Sequence, residues 1–430
     1  MSNILFLQGP LGPFFGKLAN RFSTLGNKTF KINFNGGDAF FADADHVYDY
    51  RGSLKSWSRY LSMFVRRNQI HAIVVYGDCR QYHSIAKDIC NRGNIEFWAF
   101  EEGYIRPNFI TLEKGGVNAN SEFRINSKAH AVKLSKAKPA QKENNEYQFG
   151  QTFFQRLYYG IAYYLSKSIA QYWLINDAHH RQYSAVEEGK FWLKSIRRKW
   201  KYKFSQRELD SFITQNYSGR YFFVPLQVHC DSQILAHSDF SDVNDFIRTV
   251  MLSFSLNASK GDILVFKHHP MDRGFRHYGT YIRRLAALLN ITERVIYGHE
   301  MHLPSMLKHC KATITVNSTV GLSSLHHNKP TKVLGRAHYD IPGLTSMQPL
   351  DSFWQQPTPV DSEFFAAYKQ ALKQHTQING SFYRHIDFTC EQVVRYLQEN
   401  QGKMRARKPN SVSSHSNDGT NTAAELQTVN

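Results

Sequence analysis

A chain of 430 residues can bury more than one core, and domain-size statistics predict two units plus peripheral structure. With 42% apolar and 20% charged residues, the composition excludes a disordered or collagen-like chain. Lys and Arg total 53 against 35 Asp and Glu, a formal charge of +18; such an excess attracts nucleic acid, anionic lipid or phosphorylated small molecules, or else coats a solvated face.

The chain opens with a short apolar strand at residues 3–7, a turn-rich loop at 8–13 and a helix at 14–22. A strand at 29–34, an amphipathic helix at 54–65, a strand at 72–76, a helix at 83–91 and a strand at 96–100 follow. Strands alternating with helices predict a parallel sheet, whose ligands sit at the carboxyl ends of its strands. Two segments occupy such ends, Gly77-Asp78-Cys79-Arg80 and Glu101-Glu102-Gly103-Tyr104.

The rhythm breaks at about residue 123. Residues 128–146 are polar and Lys-rich and read as an exposed linker; residues 153–203 are loaded with Tyr, Phe, Trp, Lys and Arg and read as helical. The α/β rhythm returns with strands at 221–225, 262–266, 295–297, 312–316 and 331–334, and with helices at 242–254, near 278–288 and at 303–310. The expected division is residues 1–125 for a Rossmann-like first unit, 126–205 for the linker and helical insertion, 206–400 for a second Rossmann-like unit and 401–430 for a disordered tail.

Cys79, Cys90, Cys230, Cys310 and Cys390 are odd in number and show no CxxC spacing, so neither a disulfide framework nor a zinc site is predicted. The amino terminus lacks a cationic segment before its apolar run, and no stretch reaches the roughly 18 apolar residues of a membrane span. A cytoplasmic protein is expected.

Three segments carry chemistry. A carboxylate of Glu101-Glu102 at a strand end can act as base or nucleophile, and Arg106 can bind an anionic substrate; solvated acids in a surface turn are the competing reading. Lys267-His268-His269-Pro270 also follows a strand, with His269 placed to donate to a phosphate; plain loop histidines or a metal site are the alternatives, though no third ligand stands at a recognisable spacing. Ser318, Thr319 and Ser323 lie in a strand-to-helix turn that suits phosphate, or merely caps the helix.

An acidic pair with Gly, a later His-Pro and a Ser/Thr-rich turn, in that order, resemble bacterial transferases that use CMP-activated acidic sugars. The fuller strings FEEGYIRPNFITLEKGGVN (100–118), GDCRQYH (77–83), VPLQVHCDSQI (224–234) and VNSTVGLSSLHHNKPTKVLG (316–335) resemble the KpsS/LipB-type capsule proteins, a β-Kdo glycosyltransferase family. Related capsule enzymes carry Glu-Asp-Gly where this chain has Glu101-Glu102-Gly103.

That resemblance implies an α/β, GT-B-like fold, two Rossmann-like domains facing a central cleft with an aromatic and basic helical insertion. It implies a retaining transferase that moves Kdo from CMP-Kdo to a phosphatidylglycerol-type lipid, peripheral on the inner face of the bacterial inner membrane, among other capsule biosynthesis and export proteins. Glu102 would be the catalytic carboxylate, with Asp231 the reserve choice. Glu101, Arg106, Gln227, Lys267, His269, Pro270, Ser318, Thr319 and Ser323 would bind substrate. No metal or cofactor is expected, because CMP leaves with one phosphate. A non-catalytic assembly or export factor on the same fold is the alternative; nucleic-acid binding rests on charge alone and ranks last.

Overall fold

The computed structural model describes residues 2–137, 146–170, 185–229, 234 and 237–404. Twelve strands form two sheets among them. β1 (Asn3–Phe6), β2 (Lys28–Asn33), β3 (His46–Asp49), β4 (Ala72–Tyr76), β5 (Glu96–Glu102) and β6 (Phe109–Lys114) belong to the first. β7 (Tyr221–Pro225), β8 (Ile263–Lys267), β9 (Val295–Gly298), β10 (Ala312–Thr315) and β11 (Thr331–Val333) form the second, and β12 (Gln377–Asn379) returns to the first.

Reading across the second sheet gives β11-β10-β7-β8-β9, all parallel, and the first contains the same arrangement, β3-β2-β1-β4-β5, extended by antiparallel β6 and β12. Each unit is therefore a Rossmann-like sheet whose chain direction reverses beside its first strand, which opens a crevice at the carboxyl ends there. The fold is α/β of GT-B-like form, as expected. Helices cover both faces of each sheet, so the strands are apolar runs: Phe222, Phe223 and Val224 are all inaccessible to solvent.

Two departures from expectation matter for the site. The segment expected as an exposed linker contains a helix, Lys128–Lys136, capped by the Ser127 side chain, which accepts from the His130 N–H. Its polarity belongs to the outer side; Ala131 is buried with Leu325, Phe365 and Leu372 of the second unit, and Lys128 pairs with Asp361 and Glu363. The chain assigned to the second unit as far as residue 400 instead crosses back at Gln377. There β12 pairs antiparallel with β6, and the helix Ile386–Met404 packs Ile386, Cys390 and Val393 into the core of the first sheet.

Candidate functional site

β5 delivers Glu101 and Glu102 to the carboxyl edge of the first sheet, and Gly103 then turns the chain. A Cβ on Gly103 would collide with the Phe109 carbonyl oxygen, so the turn that ends β5 has room only for glycine. From the second sheet, β7 runs into Gln227, β8 into Lys267-His268-His269-Pro270 and β10 into Asn317-Ser318-Thr319. β7 and β10 flank the crevice where the strand order reverses.

These edges enclose one cavity of about 450 Å³, lined by Glu101, Glu102, Arg106, Gln227, Lys267, His269, Pro270, Ser318 and Thr319. Its size suits a nucleotide-sugar-sized ligand. Ser323 is not among these residues; it lines a neighbouring cavity of about 240 Å³, which shares Arg106 with the first. Asp231 lies outside the described residues.

The two glutamates differ. Burial pushes the Glu101 carboxyl up to about 7, an effect reinforced by the Glu102 charge and opposed by the Glu102 backbone N–H, which donates to Glu101 Oε1 at 3.0 Å, and by Arg80 and Arg106. Glu102 Oε1 instead accepts from the Tyr383 hydroxyl at 3.4 Å and lies 3.7 Å from Arg156 Nη2, whose guanidinium sits 4.8 Å over the Tyr383 ring. Arg156 and Tyr383 escaped the sequence reading because they approach Glu102 only through the insertion and the carboxyl-terminal return.

His269 is held near its backbone, its Nδ1 accepting from the Met271 N–H at 3.2 Å. Burial holds its pKa down to about 4, so at neutral pH the ring is uncharged and its proton resides on Nε2. The residue is thus a neutral donor. The positive charge comes from Lys267, whose pKa burial lowers, and from Arg106. Beneath this loop, buried Asp272 takes the His229 N–H at 3.2 Å and the Tyr278 hydroxyl at 3.1 Å and pairs with His229 Nδ1, a brace that no local motif announces.

Gln227 lines the cavity and also organises it. Its Nε2 donates to Asn317 Oδ1 at 3.0 Å and its Oε1 accepts from the Asn317 N–H at 3.3 Å. Ser318 Oγ accepts from the Val320 N–H at 3.2 Å, and the Tyr339 hydroxyl holds the Ser318 carbonyl. Asn118 and Asn317 line the cavity too; both stand inside strings quoted above, and their amides were the signal that was passed over. Among the described residues no group of His, Cys, Asp and Glu is arranged to hold a metal ion, and no helix is long and apolar enough to cross a membrane.

The site sets Lys267, the neutral His269 and the Ser318-Thr319 turn of the second sheet opposite two carboxylates from the first, an arrangement that suits displacement at a carbon bearing a phosphorylated leaving group. Residues 71–383 match the family model described as capsule polysaccharide biosynthesis protein. The chain is 39% identical over 379 residues to the capsule polysaccharide export protein KpsS of Escherichia coli, covering 88% of this chain and 96% of that one. It is 40% identical over 392 residues to the capsule polysaccharide modification protein LipB of Neisseria meningitidis serogroup A, covering 90% and 93%. A solved structure described as Thermosulfurimonas dismutans KpsC, beta Kdo 2,7 transferase, aligns over 92% of this chain and 99% of its own with a TM-score of 0.41 and 12% identity. With the family model matching residues 71–383 and the KpsS and LipB relatives matching nearly end to end, the chain belongs to the capsule polysaccharide biosynthesis protein family.

Proposed function

We propose that the protein is a retaining glycosyltransferase that moves Kdo from CMP-Kdo to a phosphatidylglycerol-type lipid at the inner face of the bacterial inner membrane, where capsule linker synthesis starts. The observation that carries this reading is the single cavity in which the Glu101-Glu102 strand end of one sheet meets Lys267, His269 and Ser318-Thr319 of the other. Family membership and the resemblance of the Glu-Glu-Gly, His-Pro and Ser/Thr strings support the choice of sugar.

In this reading His269 Nε2–H, Lys267 and the Ser318-Thr319 turn receive the CMP phosphate, and Arg106 receives the Kdo carboxylate. Glu102 attacks the anomeric carbon; the bond to the phosphate oxygen breaks, and CMP leaves with the electron pair. A lipid hydroxyl then attacks the same carbon from the vacated face, expelling Glu102 and giving its proton to the Glu101 carboxylate. Two displacements retain configuration. Glu101 suits the proton transfer because its carboxyl titrates near neutrality.

The experiment is incubation of the protein with CMP-Kdo and a fluorescent phosphatidylglycerol, with product mass as the readout. Glu102→Gln keeps the side chain's size and removes the charge a nucleophile needs. Loss of transfer with CMP binding retained is expected, together with a covalent Kdo adduct on the parent protein in intact mass spectra. Near-normal transfer by Glu102→Gln would refute the assignment. An absence of transfer by the parent itself would favour the binding-only assembly or export factor, a role in keeping with the name of the E. coli relative.

A further inference from the structure

The insertion contributes two helices, Phe153–Ala170 and Ala185–Ser205, and each has one face committed to the protein and one face bare. On the first, Phe154, Tyr158, Ile161, Leu165 and Ile169 recur at helical spacing and fall within about 80° of arc at 3.6 residues per turn. On the second, Leu193, Ile196, Trp200 and Phe204 do the same. All nine are between 51% and 76% exposed, an apolar surface far beyond the scattered single side chains normal for a soluble protein. The helices adjoin, with Lys199 Nζ 5.1 Å over the Phe153 ring.

The opposite faces explain why these apolar residues are not core. Tyr163 packs its ring where a Cβ on Gly37 would sit and donates from its hydroxyl to Asp38 at 3.0 Å, anchoring the first helix to the first unit. Tyr202 stacks on His299 at 3.7 Å, and Arg198 Nη1 donates to the Arg273 carbonyl at 2.8 Å, anchoring the second helix to the second unit. Each inner face is already occupied, so the outer stripes await something outside the described chain.

Charge indicates what it is. Between residues 190 and 203 the second helix carries Lys190, Lys194, Arg197, Arg198, Lys199, Lys201 and Lys203 and no acidic residue. Cations flank the apolar stripe on both sides. Aliphatic and aromatic side chains bordered by Lys and Arg match an anionic lipid surface, into which the stripe sinks while the cations meet headgroup phosphates. Nucleic acid would leave the Leu and Ile side chains unused.

Arg156 adds a second element. It stands on the same helix as the first stripe but on the far side of it, about 200° around the axis from Phe154, and there its guanidinium lies 3.7 Å from Glu102. A guanidinium has five donors, and this contact engages one. We propose that the paired helices are the face by which the protein docks on an anionic bilayer, and that docking brings the phosphate of the lipid acceptor to Arg156 beside Glu102. The second half rests on the transferase reading above; the first does not.

The two halves are therefore tested apart. In sedimentation with vesicles, the full-length protein is expected to bind phosphatidylglycerol–phosphatidylcholine mixtures at least tenfold better than pure phosphatidylcholine. The Ile161→Glu/Leu165→Glu and Trp200→Glu/Phe204→Glu proteins should each lose tenfold or more of that binding while keeping parental CMP affinity as the check on folding. Binding by the variants equal to the parent, indifference to lipid charge, or a dimer of the parent that the same substitutions dissolve would each overturn the docking face. Arg156→Gln should raise the KM for the lipid acceptor about tenfold, and Arg156→Lys, which keeps a cation for the phosphate, should recover most of that loss. A fall in kcat with the acceptor KM at the parental value would show that Arg156 only orients Glu102, and would overturn the acceptor contact.

Discussion

Glu101 and Glu102 line the same cavity but meet different partners: the Glu102 backbone N–H, Arg80 and Arg106 for the first, Tyr383 and Arg156 for the second. Burial raises the Glu101 pKa to about 7 from an ordinary value of 4.5, so the folded protein binds this proton more tightly than the unfolded chain does. Stability from this group is accordingly greatest below about pH 4.5 and falls as the pH rises towards 7. Glu101→Gln should flatten the decline in denaturant midpoint between pH 5 and pH 8 relative to the parent; an unchanged slope would show that the carboxyl is not held in its neutral form. For His269 the expectation is the reverse kind of insensitivity. Being a neutral donor, it should contribute the same factor to CMP affinity at pH 5.5 and pH 8, and His269→Ala should weaken binding about tenfold at both, in line with the loss of one hydrogen bond of about 1–1.5 kcal/mol. A titration in which the variant's deficit appears only at low pH would return the role to an imidazolium.

At the scale of elements, the second sheet's side of the cavity is a set of strand ends braced from behind. Tyr339 is buried against the short helix Val320–His326, and its hydroxyl holds the Ser318 carbonyl; a Cβ on Gly321 would strike that hydroxyl. Gly321→Ala therefore has to displace Tyr339 and, with it, the Asn317-Ser318-Thr319 turn. A stability loss of about 1–3 kcal/mol is expected from overpacking, accompanied by weaker CMP binding. Calorimetric titration of CMP against this variant separates the effects: parental affinity in a destabilised protein would mean that the turn tolerates the shift. The helical insertion obeys the same logic in reverse. Its helical character was evident from the sequence of residues 153–203, but period alone does not say which way an apolar stripe faces.

The two units are held together by more than their cleft. Tyr104 and Ile125 of the first join Leu325, Phe365 and Tyr368 of the second in one apolar cluster, and the chain's return after Gln377 completes the first sheet. Phe382, in that return, is nearly inaccessible and makes edge-to-face contacts with Phe14 at 5.0 Å and Tyr76 at 5.4 Å, while its neighbour Tyr383 donates to Glu102. Phe382→Ala should cost about 3–5 kcal/mol, although the residue lies far along the chain from the β1–β5 core it supports. Unfolding followed by far-UV circular dichroism checks this; a midpoint within error of the parent would mean that the return only drapes over the sheet.

What the sequence determined by itself was local and periodic. Alternation of apolar strands with amphipathic helices revealed both α/β units, and placement after a strand marked Glu101-Glu102, Lys267-His269 and Ser318-Thr319 as cleft residues, because a parallel sheet presents its loops at one edge. Tertiary structure alone decided that these loops, spread over more than 200 residues of chain, share a single cavity, and that Ser323 opens into the neighbouring one instead. It also decided that Lys128–Lys136 folds as a helix against the second unit and that β12 and its helix belong to the first. The contacts of Arg156 and Tyr383 with Glu102 were likewise beyond reach. Periodicity reports which side of an element is apolar, whereas partners distant in sequence are chosen by packing, and the pKa values of Glu101 and His269 follow from the burial that packing creates.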